Sequence, residues 1–292
     1  MQNYIKLNNV PLKKYNTLQL ESYADVVYFP LNTEGMIEVL NTTQNVKRIL
    51  IGKGSNILLK REKYQDDVIF IITSLMDDIH IENDEIVCEA GASLSSLAWF
   101  AIEHSIEGYA FAEDIPGTVG GALIMNAGQY EFTIGQYVHW IDVYNTVENK
   151  VKRIIPDEGF FSYRHAKFNS NDIVLGCGLK NQGGDDLENL EKVLNYKRER
   201  YRKQPRNYPN AGSVFKRPSK NGEWLFVWKL FEACGLRGKR IGGAELSYKH
   251  PGFIVNVDHA TNKDVFDLIE LCQKSVKEMF DVDLELEWKV IE

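Results

Sequence analysis

The 292-residue sequence is poor in cysteine, histidine and proline, with 4, 6 and 8 of each. Cys88, Cys177, Cys234 and Cys272 form no Cys-x-x-Cys pair and sit among mostly apolar neighbours, so they are expected as free buried thiols rather than disulfides or zinc ligands. The histidines show no His-Glu-x-x-His or other ligand spacing, and no metal is expected. No stretch approaches the roughly eighteen uninterrupted apolar residues of a membrane span, and residues 1–14 lack the apolar centre of a secretory signal. These absences lead to the expectation of a cytoplasmic protein with no membrane insertion. What is present, 44% hydrophobic and 26% charged residues, is the composition of a globular chain with room for two domains.

The net charge is −7, and its distribution is uneven. From Lys197 to Lys249 there are 14 Lys or Arg against four Glu and no Asp, which leaves the remainder of the chain strongly acidic. The basic quarter is suited to an anion. It carries no nucleic-acid-binding motif, and the acidic remainder would repel a long polyanion, so a small phosphate-bearing ligand fits better than nucleic acid.

Glycine is concentrated where it can serve a ligand. In Ile115-Pro-Gly-Thr-Val-Gly-Gly-Ala-Leu-Ile-Met-Asn-Ala-Gly128, Gly117, Gly120 and Gly121 follow Pro116, and Ala122, Ala127 and Gly128 keep the stretch small. Pro116 presets a turn, and each glycine permits a positive φ or a close main-chain approach. A tight turn feeding a buried strand is the plain interpretation; the glycine density and the polar Asn126 among apolar neighbours favour a ligand cradle. A second loop, Gly52-Lys-Gly-Ser-Asn56, follows the apolar run Arg48–Ile51. It is not a dinucleotide fingerprint, because Ile57 replaces the third glycine and another apolar run follows instead of a helix. It can be a plain turn, or it can offer backbone N–H groups and the Ser55 hydroxyl to a pyrophosphate.

Along the chain, short strands are expected at Val68–Ile72, Ile79–Ile81, Ile86–Ala90, Val138–Tyr144, Ile173–Cys177 and Phe253–Val257. Ser93 is placed to cap a helix with Leu94, Leu97, Ala98, Ala101 and Ile102 on one face. Asn181-Gln-Gly-Gly-Asp-Asp186 is the clearest boundary; a basic helix follows it to Lys203 and is stopped by Pro205. Helical spacing resumes at Leu225, Trp228 and Phe231. A capping box at Thr261 and Asp264 opens an amphipathic helix through Met279. The period of two in Leu284–Val290 predicts a strand with Leu284, Leu286, Trp288 and Val290 inward and Glu285, Glu287 and Lys289 outward, where glutamates are by default solvated. Arg164, amid the aromatics of Phe160–Phe168, can be a snorkelling surface residue or a site residue.

Taken together, these loops resemble the UDP-N-acetylmuramate dehydrogenases, also called UDP-N-acetylenolpyruvoylglucosamine reductases, of peptidoglycan synthesis. The resemblance runs from Asn16-Thr17 to Ile291 and rests on the order of many motifs. They are Gly52–Asn56, Ile115–Gly121 with Asn126–Gly128, Tyr163-Arg164, Gln204-Pro205, Ala211-Gly-Ser-Val-Phe-Lys-Arg-Pro218, Gly242–Ala244, Gly252–Asn256 and Leu284–Glu287. It implies an α+β protein of a compact subtype. Residues 1–184 would bind FAD in two α+β subdomains meeting near residues 74–78, a flavin fold like that of vanillyl-alcohol oxidase. Residues 185–292 would form an α+β substrate domain. It further implies reduction of the enolpyruvyl group of a UDP-sugar by NADPH through FAD, in a protein that acts as a monomer.

By the same resemblance Ser213 is the proton donor, Arg164 the cation at the substrate carboxylate, and Glu287 a carboxylate partner, with Tyr163, Lys216 and Arg217 binding substrate. Gly52, Lys53, Gly54, Ser55, Asn56, Pro116, Gly117, Thr118, Gly120, Gly121, Asn126, Ala127 and Gly128 are expected to hold the FAD. Asp114, preceded by Glu113, stands where the family usually has glycine, Ala166 where it commonly has serine, and Trp228 where a small residue is usual. Two carboxylates beside the cradle are expected to oppose a pyrophosphate. Two other functions fit the same features: a related flavin reductase acting on a different enol or enone, and a catalytically silent nucleotide-sugar or flavin-binding protein.

Overall fold

Val68–Ile72 is an unbroken apolar run, and in the computed structural model, which describes residues 2–292, all five of its side chains are buried. Such a strand needs cover on both faces, the situation of a parallel sheet. It pairs in parallel with Lys47–Ile51 on one side and Tyr23–Pro30 on the other, with Tyr4–Pro11 beyond. Helix α1 (Thr33–Thr42), whose first turn is capped by the Asn32 side chain accepting the Gly35 N–H, lays Met36, Val39 and Leu40 against this sheet.

A second sheet is antiparallel, in the order Lys150–Ile154, Val138–Asn145, Asp172–Lys180, Glu85–Glu89, Ile79–Glu82. Helix α2 (Leu94–Glu103) covers it through Leu94, Leu97, Ala98 and Ala101, and the Ser93 hydroxyl accepts the Ser96 N–H as its cap. Helix α3 (Val119–Met125) contributes Val119, Ala122 and Leu123 to the same apolar cluster. Cys88 and Cys177 lie directly opposite each other in this sheet, both free and both with thiols pushed well up by burial. The two sheets with α1–α3 belong to one compact unit, formed by residues up to Asn8, Val26–Lys53 and Gln65–Arg200. Helix α4 (Asp186–Lys203) belongs to it as far as Arg200.

The other unit comprises Asn9–Asp25, Gly54–Tyr64 and Tyr201–Glu292. Its antiparallel sheet runs Asn210–Ser213, Phe253–Asn256, Ala244–Leu246, Arg240–Ile241. Helices α5 (Val227–Ala233) and α6 (Asn262–Phe280) cover it, with Phe231, Val265, Leu268, Cys272 and Val276 fully enclosed. The capping box is formed: Thr261 accepts the Asp264 N–H and Asp264 accepts the Thr261 N–H, an arrangement worth about 1 kcal/mol. Leu18, Leu20 and Leu58, distant in sequence, fill the same core. Ile57–Leu59 pairs in parallel with Lys289–Ile291, and the Tyr64 hydroxyl donates to the Ile291 carbonyl at 2.7 Å. No helix among the described residues is long and apolar enough to cross a membrane.

The stretch after Pro116-Gly117 is a helix, α3, so the alternative of a turn feeding a strand does not hold: Thr118 caps it, and close packing at Gly120 outweighs the poor helix propensity of its two glycines. Two expectations need correction. The terminal strand is shorter than its alternation implies. Only Lys289–Ile291 is regular, with one further bridge at Leu286–Phe215; Leu284 and Trp288 are buried as expected, but Glu287 is half-buried rather than solvated. Cys234 is half-buried, unlike the other three thiols.

Candidate flavin and substrate site

The glycine loop is built on two kinds of glycine. A Cβ at Gly120 would lie 2.9 Å from Ala90 Cβ and 3.0 Å from Ala90 O, and one at Gly128 would lie 2.0 Å from Phe132 O, so the fold itself requires these two. Gly117 and Gly121 differ. An added Cβ would meet nothing nearer than 3.4 Å, Leu94 Cδ1 and Thr118 Oγ1 respectively, which is ordinary contact, so the fold itself does not require glycine at these two positions. Thr118 holds the corner: its hydroxyl accepts the Gly121 N–H, and a Cβ at Gly52 would lie 2.3 Å from Thr118 Oγ1. The two glycine loops therefore abut at Gly52 and Thr118.

Several main-chain donors of the cradle are already engaged. The N–H groups of Val119 and Gly120 donate to Ala92 O and Ala90 O, both at 2.8 Å, and that of Gly117 donates to Ile115 O. Asn126 caps α3 from the left-handed region at φ 41°, with both ends of its amide on backbone: Nδ2 donates to Ser162 O and Oδ1 accepts the Gly135 N–H. Ala127 closes the helix by donating to Ala122 O. Pro116 and Lys53 are exposed and Ser55 is half-buried. Gly54, at φ 64°, lies against the Tyr15 carbonyl, and Asn56 Nδ2 donates to Glu287 O at 3.1 Å.

Asp114 adopts φ 64°, a left-handed conformation that Asp tolerates and that glycine would take freely. Its carboxylate is 3.6 Å from Arg200 Nε, while the almost fully buried Glu113 is 2.9 Å from Lys197 Nζ. The charge pair at the cradle edge is thus matched by two cations of α4. This changes the meaning of the basic quarter. Lys197 and Arg200 face protein carboxylates, as do Lys216 with Glu285, Arg237 with Glu232 and Arg240 with Asp258, so only part of that charge is left to meet a ligand.

Tyr163 and Arg164 form the two-residue tip of a hairpin in which Ser162 pairs with His165 and Phe161 with Ala166. Arg164 sits at φ 55°. For a long side chain this costs about 1–2 kcal/mol, strain of a kind that collects at functional sites. Its guanidinium lies 5.4 Å from the centre of the half-exposed Tyr163 ring. Ala166 is buried in the core beneath the hairpin.

Ser213 ends the strand Asn210–Ser213 at an irregularity in its pairing with Phe253–Asn256. Gly212, at φ 77° with nothing within 4 Å of an added Cβ, makes the kink, and Asn210 Oδ1 accepts its N–H. A bulge of this type re-aims the next side chain, and the Ser213 side chain is exposed. The neighbouring chain is 285–287: Glu287 N–H donates to Val214 O at 2.8 Å and Lys216 N–H to Glu285 O at 2.9 Å. Glu287 thus lies one residue out of register from Ser213. Lys216 Nζ is 2.5 Å from Glu285 Oε1, and Arg217 stacks on Phe226 at 4.2 Å.

One feature escaped sequence reasoning. A recess of about 650 Å³ is lined by Tyr201, Arg206, Tyr208, Ser247, Tyr248 and Lys249. Tyrosines interleaved with the basic residues of 201–208 and 248–249 were its only sequence signal. Among the described residues no group of three or more His, Cys, Asp or Glu is placed to hold a metal.

A sheet with parallel pairs and an antiparallel sheet in one unit, with two glycine loops that abut, give an α+β architecture, and with the family matches that follow they mark a flavin-binding oxidoreductase. Residues 24–149 match the FAD binding domain family, and residues 204–291 match the family described as UDP-N-acetylenolpyruvoylglucosamine reductase, C-terminal domain. The UDP-N-acetylenolpyruvoylglucosamine reductase of Thermosipho melanesiensis is 37% identical over 284 residues, covering 97% of this chain and 94% of its own. That of Caldicellulosiruptor bescii is 39% identical over 291 residues, covering 98% and 90%. The crystal structure of UDP-N-acetylenolpyruvylglucosamine reductase from Thermus caldophilus superposes with a TM-score of 0.80 at 27% identity, covering all of both chains. The chain belongs to the UDP-N-acetylenolpyruvoylglucosamine reductase family.

Proposed function

We propose that the protein is an NADPH-dependent UDP-N-acetylmuramate dehydrogenase that reduces the enolpyruvyl group of UDP-N-acetylglucosamine enolpyruvate in the cytoplasm, as a step of peptidoglycan precursor synthesis, and that it acts as a monomer. The observation that carries this reading is Ser213, presented exposed at a glycine bulge with Glu287 beside it. The FAD, when bound, supplies hydride to the enolpyruvyl carbon. Negative charge then develops at the adjacent carbon and its carboxylate, and the chain's own groups answer it. Arg164 takes the carboxylate in a bidentate contact that lysine could not make. Ser213 holds the proton on its hydroxyl and delivers it to the carbon, which a weak acid can do to a strongly basic enolate once bound substrate has displaced water from the exposed side chain. Glu287, when protonated, supports the enolate by donating a hydrogen bond to it.

Tyr163, Lys216 and Arg217, with the tyrosine-lined recess, are assigned to the UDP-sugar, whose diphosphate suits Arg and Lys donors. Pro116, Gly117, Thr118, Gly120, Gly121 and the Asn126–Gly128 corner, together with Gly52–Asn56, are assigned to FAD; glycines at 117 and 121 that the packing of the fold does not require support this. FAD binding is assigned to residues 1–184, in two subdomains meeting near 74–78, and substrate binding to 185–292; the two family matches fall on either side of that division. The decisive experiment uses Ser213→Ala. Flavin reduction by NADPH should proceed at the wild-type rate while turnover of the enolpyruvyl UDP-sugar falls on the order of a hundredfold or more. Unimpaired turnover would remove Ser213 from the role.

A further inference from the structure

The loop assigned to flavin enters through Phe111–Asp114 and leaves through Gly128–Gln129, and both ends are held by one short face of α4. Lys197 reaches Glu113, whose side chain is only 3% exposed and whose second oxygen, Oε2, has no hydrogen-bond partner among the described residues. Arg200, one turn later on the same face, reaches in two directions: Nε is 3.6 Å from Asp114 at the entry, and Nη1 donates to Gln129 Oε1 at 3.0 Å at the exit. Gln129 Nε2 in turn donates to the Phe111 carbonyl at 2.6 Å, closing the ring. Tyr196 adds a stacked contact with Tyr130 at 5.0 Å. Arg200 and Asp114 are themselves mostly enclosed, with side chains 13% and 11% exposed.

We propose that Lys197 and Arg200 are positioning residues for FAD: they buckle the two ends of the cradle together and neutralise the two carboxylates that would otherwise face a pyrophosphate. This rests on the reading that the 115–128 loop holds FAD. The buckle explains how this chain accommodates Glu-Asp before Ile-Pro-Gly. Asp114 takes the positive φ the turn needs, and the charge it brings is balanced by the helix and not by the ligand. Removing the cation leaves a buried carboxylate whose energy is raised further by an approaching phosphate. Removing both partners restores neutrality.

The test measures FAD dissociation constants of apo-protein by flavin fluorescence quenching, with apo-protein melting temperature as a check of folding. Arg200→Gln should weaken FAD at least about tenfold, and Asp114→Gly in the same chain, which keeps the positive φ without the charge, should recover most of that loss. Lys197→Gln, at a half-exposed position, should show the same loss and the same recovery by Glu113→Gln, and it serves if Arg200→Gln does not fold. A contribution of α4 that does not depend on the paired charges would not be rescued by deleting the partner charge. Wild-type affinity in Arg200→Gln or Lys197→Gln, or the absence of rescue, overturns the buckle. Gly121→Asp separates the underlying reading: its side chain finds room in the apo fold at a helix first turn where Asp is favourable, yet it occupies the cradle. If Gly121→Asp binds FAD like wild type, the loop is not the flavin site and both readings fall; if it loses FAD while Arg200→Gln does not, only the buckle falls.

Discussion

One methyl group added at Gly120 and at Gly121 should move this protein in opposite directions. Both lie in the first turn of α3, where replacing glycine by alanine relieves backbone entropy and gains about 0.5–1 kcal/mol. At Gly121 nothing opposes the gain, because the nearest atom to the new Cβ is Thr118 Oγ1 at 3.4 Å, an ordinary contact. At Gly120 the Cβ meets Ala90 Cβ at 2.9 Å and Ala90 O at 3.0 Å, and the Gly120 N–H is already bonded to that oxygen at 2.8 Å, so the turn at Ala90 cannot retreat without losing a bond. Overpacking of this kind costs about 1–3 kcal/mol, which exceeds the entropy gain. Apo-protein Gly121→Ala should therefore melt about 1–4 °C higher than wild type, and Gly120→Ala lower. The methyl of Gly121→Ala also fills the space assigned to the pyrophosphate, so this more stable variant should bind FAD more weakly. Scanning calorimetry of apo-protein and flavin fluorescence titration measure the two effects. A lower melting temperature for Gly121→Ala, or wild-type FAD affinity in that variant, would refute the division of the cradle into structural and ligand-facing glycines.

Asn126→Ala breaks bonds to Ser162 O and from Gly135 N–H and strains a left-handed residue, so urea unfolding should show a loss of about 2–3 kcal/mol. A thiol titration of native protein near pH 8 should modify Cys234 alone, with all four reacting after denaturation, since burial pushes the Cys272 thiol up to about 12 and those of Cys88 and Cys177 further; rapid modification of more than one native thiol would contradict the packing. His250 is held below its ordinary range chiefly by burial, and its Nδ1 accepts the Gly252 N–H. The unfolded chain therefore binds the proton more readily than the folded one, so His250 subtracts stability as pH falls below about 6.5. A His250→Asn variant should show a flatter loss of melting temperature between pH 6.5 and 5 than wild type, and an unchanged slope would exclude His250 as its source.

Local pattern reached far into this fold. The Ser93 cap, the capping box at Thr261 and Asp264, the helix after Asp186 and the central strands were readable because each is fixed by neighbours within a few residues. What stayed hidden is non-local. Nothing in residues 9–25 or 54–64 announces that they pack with the C-terminal third, because Leu18, Leu20 and Leu58 carry the same apolar signal wherever they pack. Helix α3 was concealed by its own glycines, whose propensity argues against helix while Ala90 demands one of them. At the candidate site, Ser213 and the glycine loops were legible as residue types in order. The significance of Asp114 was not, since a carboxylate reads as repulsive until Arg200, 86 residues later, is seen beside it.

The pairing of 57–59 with 289–291 sets a timetable for the nascent chain. Asn56 and its partner Glu287 are 231 residues apart, and at roughly 5–20 residues per second the ribosome takes roughly 10–50 s to travel between them. Throughout that interval the apolar Ile57-Leu-Leu59 strand emerges with no edge to join, exposed to chaperones, to proteases and to other nascent copies. The first unit keeps no such appointment: its sheets and α1–α3 are complete once Lys180 is made. Synthesis therefore passes through a stage in which the first unit can be complete while the strand of the second is still open, and yield in the cell should depend on how well that stage is protected.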